Sequence, residues 1–492
     1  MGCGTNILTD VPVLKNYIDG DWCDSESKEL RDVVNPATGE IIAKVPMSTA
    51  DETNSAIESA NNAFERWRVT IPVSRARYFF DLKNLMEENF ESLAQWIVKE
   101  NGKTIDEARG EVRRGIECVE VSTGIPSLMM GVNSEDIAIG IDEMLIRQPL
   151  GVFFALAPFN FPNMVPLWFL PFAVAVGNTY IVKPSPQTPI SQVKLFELFD
   201  ELDFPPGVVN LVHGDVEVAN VLLDSPDTKG VSFVGSTPVG KLVYERASKS
   251  GKRAQVQGGA KNFLLVMPDA DLERTASALM TSCYGCAGER CLAGSVILVF
   301  EEIHEPLMKQ LVEMARMIKV GNGLDEGIQM GPVISAKAKE RVEWYIDQGV
   351  KEGATLVLDG RSIEVERYPD GFFIGPTIFD NVTPEMTIAK EEIFGPVMSI
   401  MNVKGFDEAI DIIHANPYGN ASSIFTSSGK WSREFQYRVQ AGNVGINVGI
   451  VAPVAHFPFS GMKDSFFGTL HGQGEDAIRF FTESKVVITR WF

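Results

Sequence analysis

"GVFFALAPFNFP", residues 151–162, is an apolar run that ends abruptly in turn residues, which reads as a strand feeding a turn. The same form recurs in "TYIVKPSPQTP" (179–189), "VVNLVHG" (208–214) and "GVSFVGSTPVGKLVYERAS" (230–248). Strands that alternate with helices in this way imply a doubly wound, mostly parallel sheet. A second alternating set runs from about 262 to 450 and includes "SVILVF" (295–300) and "GNVGINV" (442–448). The chain therefore reads as two α/β domains with short extensions. It opens with short strands: "KNYIDGDWCDSES" (15–27) turns at Asp-Gly, and "RDVVNPATGEIIAKV" (31–45) turns at Pro-Ala-Thr-Gly. Helical patterning follows. "TADETNSAIESANNAFERW" (49–67) begins with a Thr-x-x-Glu capping box, and "ARYFFDLKNLMEENFESLAQWIVKENG" (76–102) reads as one amphipathic stretch that stops at Asn-Gly.

Composition narrows the function classes. A formal net charge of −21 with no basic run argues against nucleic acid. Six cysteines scattered over 492 residues do not form a disulfide framework and fit a reducing cytoplasm. Gly2 invites a myristoylation reading, but Asn6 stands where that motif needs Ser or Thr. The most apolar stretch, 164–182, is broken by two prolines and Gly177-Asn178, so it reads as a buried helix followed by a buried strand and not as a membrane span.

Four stretches could carry chemistry. Gly235 and Ser236 sit where a strand turns into a helix, so the N–H groups there suit a pyrophosphate or simply start the helix. Lys183 ends a strand and reads as a cofactor contact or as a solvated lysine. Asn160, between prolines and aromatics, could donate to a developing oxyanion or could satisfy its own turn. In "CAGERCLAG" (286–294), Cys291 lies beside Arg290, which would favour thiolate. Cys283 and Cys286 read as small core residues on a helix. A metal site built from the three cysteines lacks a fourth ligand nearby and would face Arg290.

Taken together and in order, "PFNFP", "KPS", "GSTPVG", "GGAKN", "GERCLAG", "KEEIFGP", "GMKDSFFG" and "IRFFTESKVV" resemble the aldehyde dehydrogenase superfamily over nearly the whole chain. The resemblance implies a Rossmann-type cofactor domain (1–123 and 147–256) and an α/β catalytic domain (257–448). It further implies a β oligomerisation arm (124–146 and 477–492), a connecting segment (449–476) and a homodimer or homotetramer. It makes Cys291 the nucleophile and Asn160, with the Cys291 backbone N–H, the oxyanion hole. Lys183, Ser185, Pro186, Gly235, Ser236, Glu392 and Phe394 would meet NAD or NADP.

Two departures refine this reading. Gln257 stands where most of the family carries the glutamate that activates the deacylating water, and an amide cannot take a proton. The branch resembling methylmalonate-semialdehyde dehydrogenase also lacks that acid and releases its acyl group to coenzyme A. "SFFGTLHGQG" (465–474) strengthens the likeness. In that branch arginines hold the substrate carboxylate. Arg290 matches one of them, and in "GEVRRGIE" (110–117) Arg114 is favoured over Arg113, the bland alternative being a salt bridge on the helix face. Pro186 replaces the acid that often reads the ribose in NAD-preferring members, which opens the way to NADP. The expected activity is CoA-acylating oxidation of malonate or methylmalonate semialdehyde. The alternatives are a non-acylating, NADP-linked dehydrogenase of a small aldehyde such as glyceraldehyde, and an inactive scaffold.

Overall fold

The computed structural model describes residues 11–492, so the myristoylation reading at Gly2 lies outside the described residues. Two large sheets organise the chain. The first has eight strands, in the order Asp21–Cys23, Asn16–Ile18, Val209–Leu211, Thr179–Lys183, Val152–Leu156, Thr228–Val234, Arg253–Gln257 and Phe466–Phe467. Its five strands from Val209–Leu211 to Arg253–Gln257 are parallel. Sequence order reverses between Val152–Leu156 and Thr228–Val234, so a crevice opens at their carboxyl ends, where such sheets bind ligands.

The run that opens at Gly151 owes its continuous apolarity to burial on both faces. Val152, Phe154 and Leu156 pack against Ala56, Ile57 and Ala60 of the Ala50–Trp67 helix, while Phe153 and Ala155 belong to the core with Phe172, Leu195 and Phe196 on the other side. This division follows the two-residue period of a strand. The apolar stretch at 164–182 is resolved in the same way into the short helices Met164–Leu167 and Leu170–Ala175, followed by the buried Thr179–Lys183 strand. Among the described residues no helix is long and apolar enough to cross a membrane.

The second sheet has seven strands, in the order Thr355–Leu358, Thr377–Asp380, Val397–Val403, Gly294–Phe300, Asn262–Val266, Ala421–Phe425 and Asn443–Ile446. Only the Thr355–Leu358 edge is antiparallel. A third sheet pairs Thr482–Arg490 with Ile141–Pro149, which in turn pairs with Val132–Ala138.

Local signals near the N-terminus hold. The Asp19-Gly20 hairpin has both turn residues at positive φ, and the Thr49–Glu52 capping box is made. One expectation fails: 76–102 is not one helix. It splits into Pro72–Glu88 and Phe90–Asn101, because Asn89 leaves helical geometry and turns its amide back onto the Leu85 carbonyl. Gly102, at φ 93°, then ends the second helix.

Candidate active site

The helix Ile105–Ser122 forms one wall of a cavity of about 550 Å³. Glu107, Gly110, Glu111, Arg114, Glu117 and Cys118 recur at three- and four-residue steps and share the cavity face. Arg113 falls outside this face and grips Glu87 with both terminal guanidinium nitrogens. Arg114 lines the cavity and pairs with Glu117 at 2.8 Å, so the favoured arginine and its bland partner occur together.

Asn160, Arg290 and Cys291 line the same cavity, with Phe161, Trp168, Phe459 and Gln473. Asn160 does not serve its own turn. Its Nδ2 donates to the Glu289 carbonyl at 3.0 Å, which leaves the second amide N–H for another acceptor. Cys291 sits between the helix Leu272–Tyr284 and the strand Gly294–Phe300. Its carbonyl accepts from the side-chain amides of Asn262 and Asn420, at 2.9 Å each. Gly288, at φ 75°, lets this loop run against the 390–396 segment, where a Cβ would lie 2.2 Å from the Gly395 oxygen.

Two expectations about this loop are corrected. Cys286 is not on the helix: it lies past its end, with Cys286 and Ala287 both in left-handed backbone, and it lines the cavity. Arg290 is directed away from Cys291. Its Nε donates to Cys286 Sγ at 3.2 Å and its Nη2 meets Glu107 at 3.2 Å, while burial and then Glu392 push the Cys291 thiol up to about 12. The neighbouring guanidinium is shared with Glu107 and Cys286, which offsets its influence on Cys291.

Gln257, the last residue of its strand, is buried and outside the cavity lining. Its Nε2 donates to the Phe459 carbonyl at 3.1 Å, a bond that an ionised glutamate could not make.

The crevice at the strand-order reversal fits a dinucleotide. Ser236 is the N-cap of Thr237–Lys249, and its hydroxyl makes no capping bond, so the leading N–H groups and the hydroxyl remain for an anion. At Gly235 a Cβ would come 2.6 Å from the Phe233 ring, which keeps the turn low. Lys183 is not a solvated lysine. It is buried, donates to the carbonyls of Pro184 and Gly214, and is pushed down to about 8 by burial. Ser185 is buried and Pro186 partly exposed beyond it. Glu392 accepts from the Ala260 N–H at 3.0 Å and is pushed up to about 7, chiefly by burial. Phe394, in left-handed backbone, packs edge-on against Phe159.

A family model described as "Aldehyde dehydrogenase family" matches residues 22–487. The chain belongs to the aldehyde dehydrogenase family. It is an NAD(P)-dependent oxidoreductase. It is 48% identical over 484 residues to a malonate-semialdehyde dehydrogenase of Bacillus mycoides, covering 98% of this chain and 100% of that one. The crystal structure of a methylmalonate-semialdehyde dehydrogenase from Oceanimonas doudoroffii superimposes with a TM-score of 0.96 at 42% identity, covering 98% of each chain. A Sinorhizobium meliloti chain solved in complex with NAD gives a TM-score of 0.97 at 42% identity, covering 98% of this chain and 99% of that one.

Several site residues escaped sequence reasoning. Glu107 has two jobs, since one oxygen caps Thr104 N while the other holds Cys286 N and Arg290. Only its capping-box spacing from Thr104 was available as a signal. Asn420 and Asp215, which pairs with Arg31 beside Lys183, come from other parts of the chain and carry no local pattern.

Proposed function

We propose that this enzyme oxidises malonate or methylmalonate semialdehyde and releases the product as an acyl-coenzyme A. The observation that carries the reading is one cavity lined by Cys291 and Asn160 together with Arg290 and Arg114. Cys291 adds to the aldehyde carbon, and the resulting thiohemiacetal oxygen is held by the free N–H of Asn160 and the Cys291 backbone N–H. When bound, the nicotinamide dinucleotide accepts the hydride. Lys183, Ser185, Gly235, Ser236, Glu392 and Phe394 hold it, and Pro186 offers no carboxylate against a 2′-phosphate, so NAD and NADP are both admitted. The Cys291 thiol loses its proton to solvent as the adduct forms; the Glu392 carboxylate, whose charge raises the thiol, opposes that loss and is not its acceptor.

The arginines would take the substrate carboxylate with N–H groups not spent on Glu107 and Glu117. Release of the acyl group to coenzyme A is supported by Gln257, which supplies no base for water. The relatives named as malonate- and methylmalonate-semialdehyde dehydrogenases support the substrate class. A cytoplasmic homo-oligomer built through the strands Val132–Ala138, Ile141–Pro149 and Thr482–Arg490 completes the reading.

A substrate panel tests it. Malonate and methylmalonate semialdehydes should exceed propanal and glyceraldehyde in kcat/KM by about 10- to 100-fold, the worth of a charge-assisted contact. Equal values across the panel would remove the semialdehyde assignment.

A further inference from the structure

Behind the Asn160 turn lies an ion pair that the reaction as described does not use. Lys103 and Glu111 are both fully buried, at 0% side-chain exposure, with Nζ and Oε2 2.5 Å apart. Each donor of the ammonium has a partner: Glu111, the Asn160 carbonyl at 2.8 Å, and the face of the Phe161 ring at 4.0 Å from its centroid. The second oxygen of Glu111 accepts the N–H groups of Asn163 at 2.8 Å and Met164 at 3.2 Å. The pair therefore grips the turn at both ends. Asn101 and Thr188 hold the Phe159 carbonyl beside it, and Gln192 holds that of Pro162.

Stability alone does not account for such a pair, because well-packed apolar residues often serve a buried site as well or better. An oxyanion donor, by contrast, works only if its geometry is fixed before charge develops. We propose that Lys103 and Glu111 are positioning residues that set the Asn160 amide for the thiohemiacetal oxygen. Lys103 acts on the main-chain carbonyl of Asn160 and Glu111 on the N–H groups that follow, so both act through the turn, and both Glu111 oxygens are spent on Lys103 and the turn although Glu111 borders the cavity. The inference rests on the oxyanion role proposed for Asn160.

A double-mutant cycle on the full-length enzyme tests it. The readout is the first-turnover rate of cofactor reduction with propanal, which has no carboxylate for the arginines. Lys103→Met should lower this rate about 10- to 100-fold, the scale expected for a displaced catalytic group, with little change in the propanal KM. Combined with Asn160→Ala, it should cost less than about twofold beyond Asn160→Ala alone, since a residue acting through Asn160 has nothing left to position. Lys103→Met with Glu111→Gln leaves no unpaired buried charge and should behave alike, which guards against a folding failure of the single variant. Losses that multiply fully in both backgrounds, or that fall on KM alone, would overturn the positioning role. A normal rate for Asn160→Ala alone would overturn the oxyanion reading, and this inference with it.

Discussion

Asn160 and Gln257 are both buried side-chain amides at the carboxyl end of the same sheet, each donating one N–H to a backbone carbonyl, but only Asn160 lines the cavity. Asn160 spends one N–H on the Glu289 carbonyl and lines the cavity beside Cys291, with Lys103 and Glu111 fastening its turn from behind. Gln257 spends its amide on the Phe459 carbonyl and stays out of the cavity lining. One amide lines the cavity and is the proposed donor to a reacting oxygen. The other donates to the Phe459 carbonyl and carries no group that could deprotonate water. On the proposed mechanism, the difference would separate the two halves of the reaction: formation of an acyl–enzyme would use Asn160, and hydrolysis would find no base at Gln257.

The largest effect should come from the group that both halves share. Cys291→Ala should reduce oxidation by about 10⁴-fold or more, as for loss of a covalent nucleophile. Dinucleotide binding, followed by quenching of tryptophan fluorescence, should remain, because Lys183 and Ser236 lie on other elements. Substantial turnover by this variant would erase the comparison, since no thioester would form. Asn160→Ala should cost about 10²–10³-fold in kcat with a small change in KM. An effect on KM alone would make Asn160 a ground-state contact and no better prepared than Gln257.

The arginines come next. Arg114→Leu should lower kcat/KM for malonate semialdehyde about 10- to 100-fold while sparing propanal. Arg290→Leu should show the same selectivity with some loss for propanal too, because Arg290 also ties Cys286 to Glu107 next to the nucleophile. Equal losses on both aldehydes for Arg114→Leu would assign it to the helix face alone. The smallest effect is expected at the cofactor: Pro186→Glu should shift preference from NADP toward NAD by about tenfold, through repulsion of the 2′-phosphate. An unchanged ratio of kcat/KM values would point to Asp215 and Arg31 as the groups that read the ribose.

How much of this was legible in the chain depended on how local each signal was. Lys183 ends a strand of the first sheet and Asn160 and Ser236 follow strand ends within a few residues, so the strand–turn–helix rhythm located them without the rest of the fold. Cys291 and Glu392 stand in loops of the second α/β unit and stood out only through motifs. Arg114 was favoured over Arg113 from the resemblance, and the helix face supplies the physical reason, because neighbouring helical residues point about 100° apart. The direction of Arg290 was misjudged for a related reason. Adjacency in sequence to Cys291 suggested contact, but the guanidinium turns to Glu107, a residue far away in the chain. Glu107 and Glu111 gave no warning, since capping and pairing on a helix are what such residues ordinarily do, and Lys103, just ahead of the Thr104 N-cap, carried no pattern.

The contrast between the two amides is tested most directly by following one turnover and the next, by rapid mixing of enzyme, malonate semialdehyde and dinucleotide, with and without coenzyme A. Without coenzyme A, reduced cofactor should appear in a burst of about one equivalent per active site, followed by a slow phase, because water meets the Cys291 thioester with no base beside it. Coenzyme A, already partly thiolate near neutral pH, should lift the slow phase and yield an acyl-coenzyme A as product. Gln257→Glu should speed the slow phase without it. Rapid steady turnover in the absence of any thiol, with free acid as the sole product, would contradict the account and favour the non-acylating oxidation of a small aldehyde.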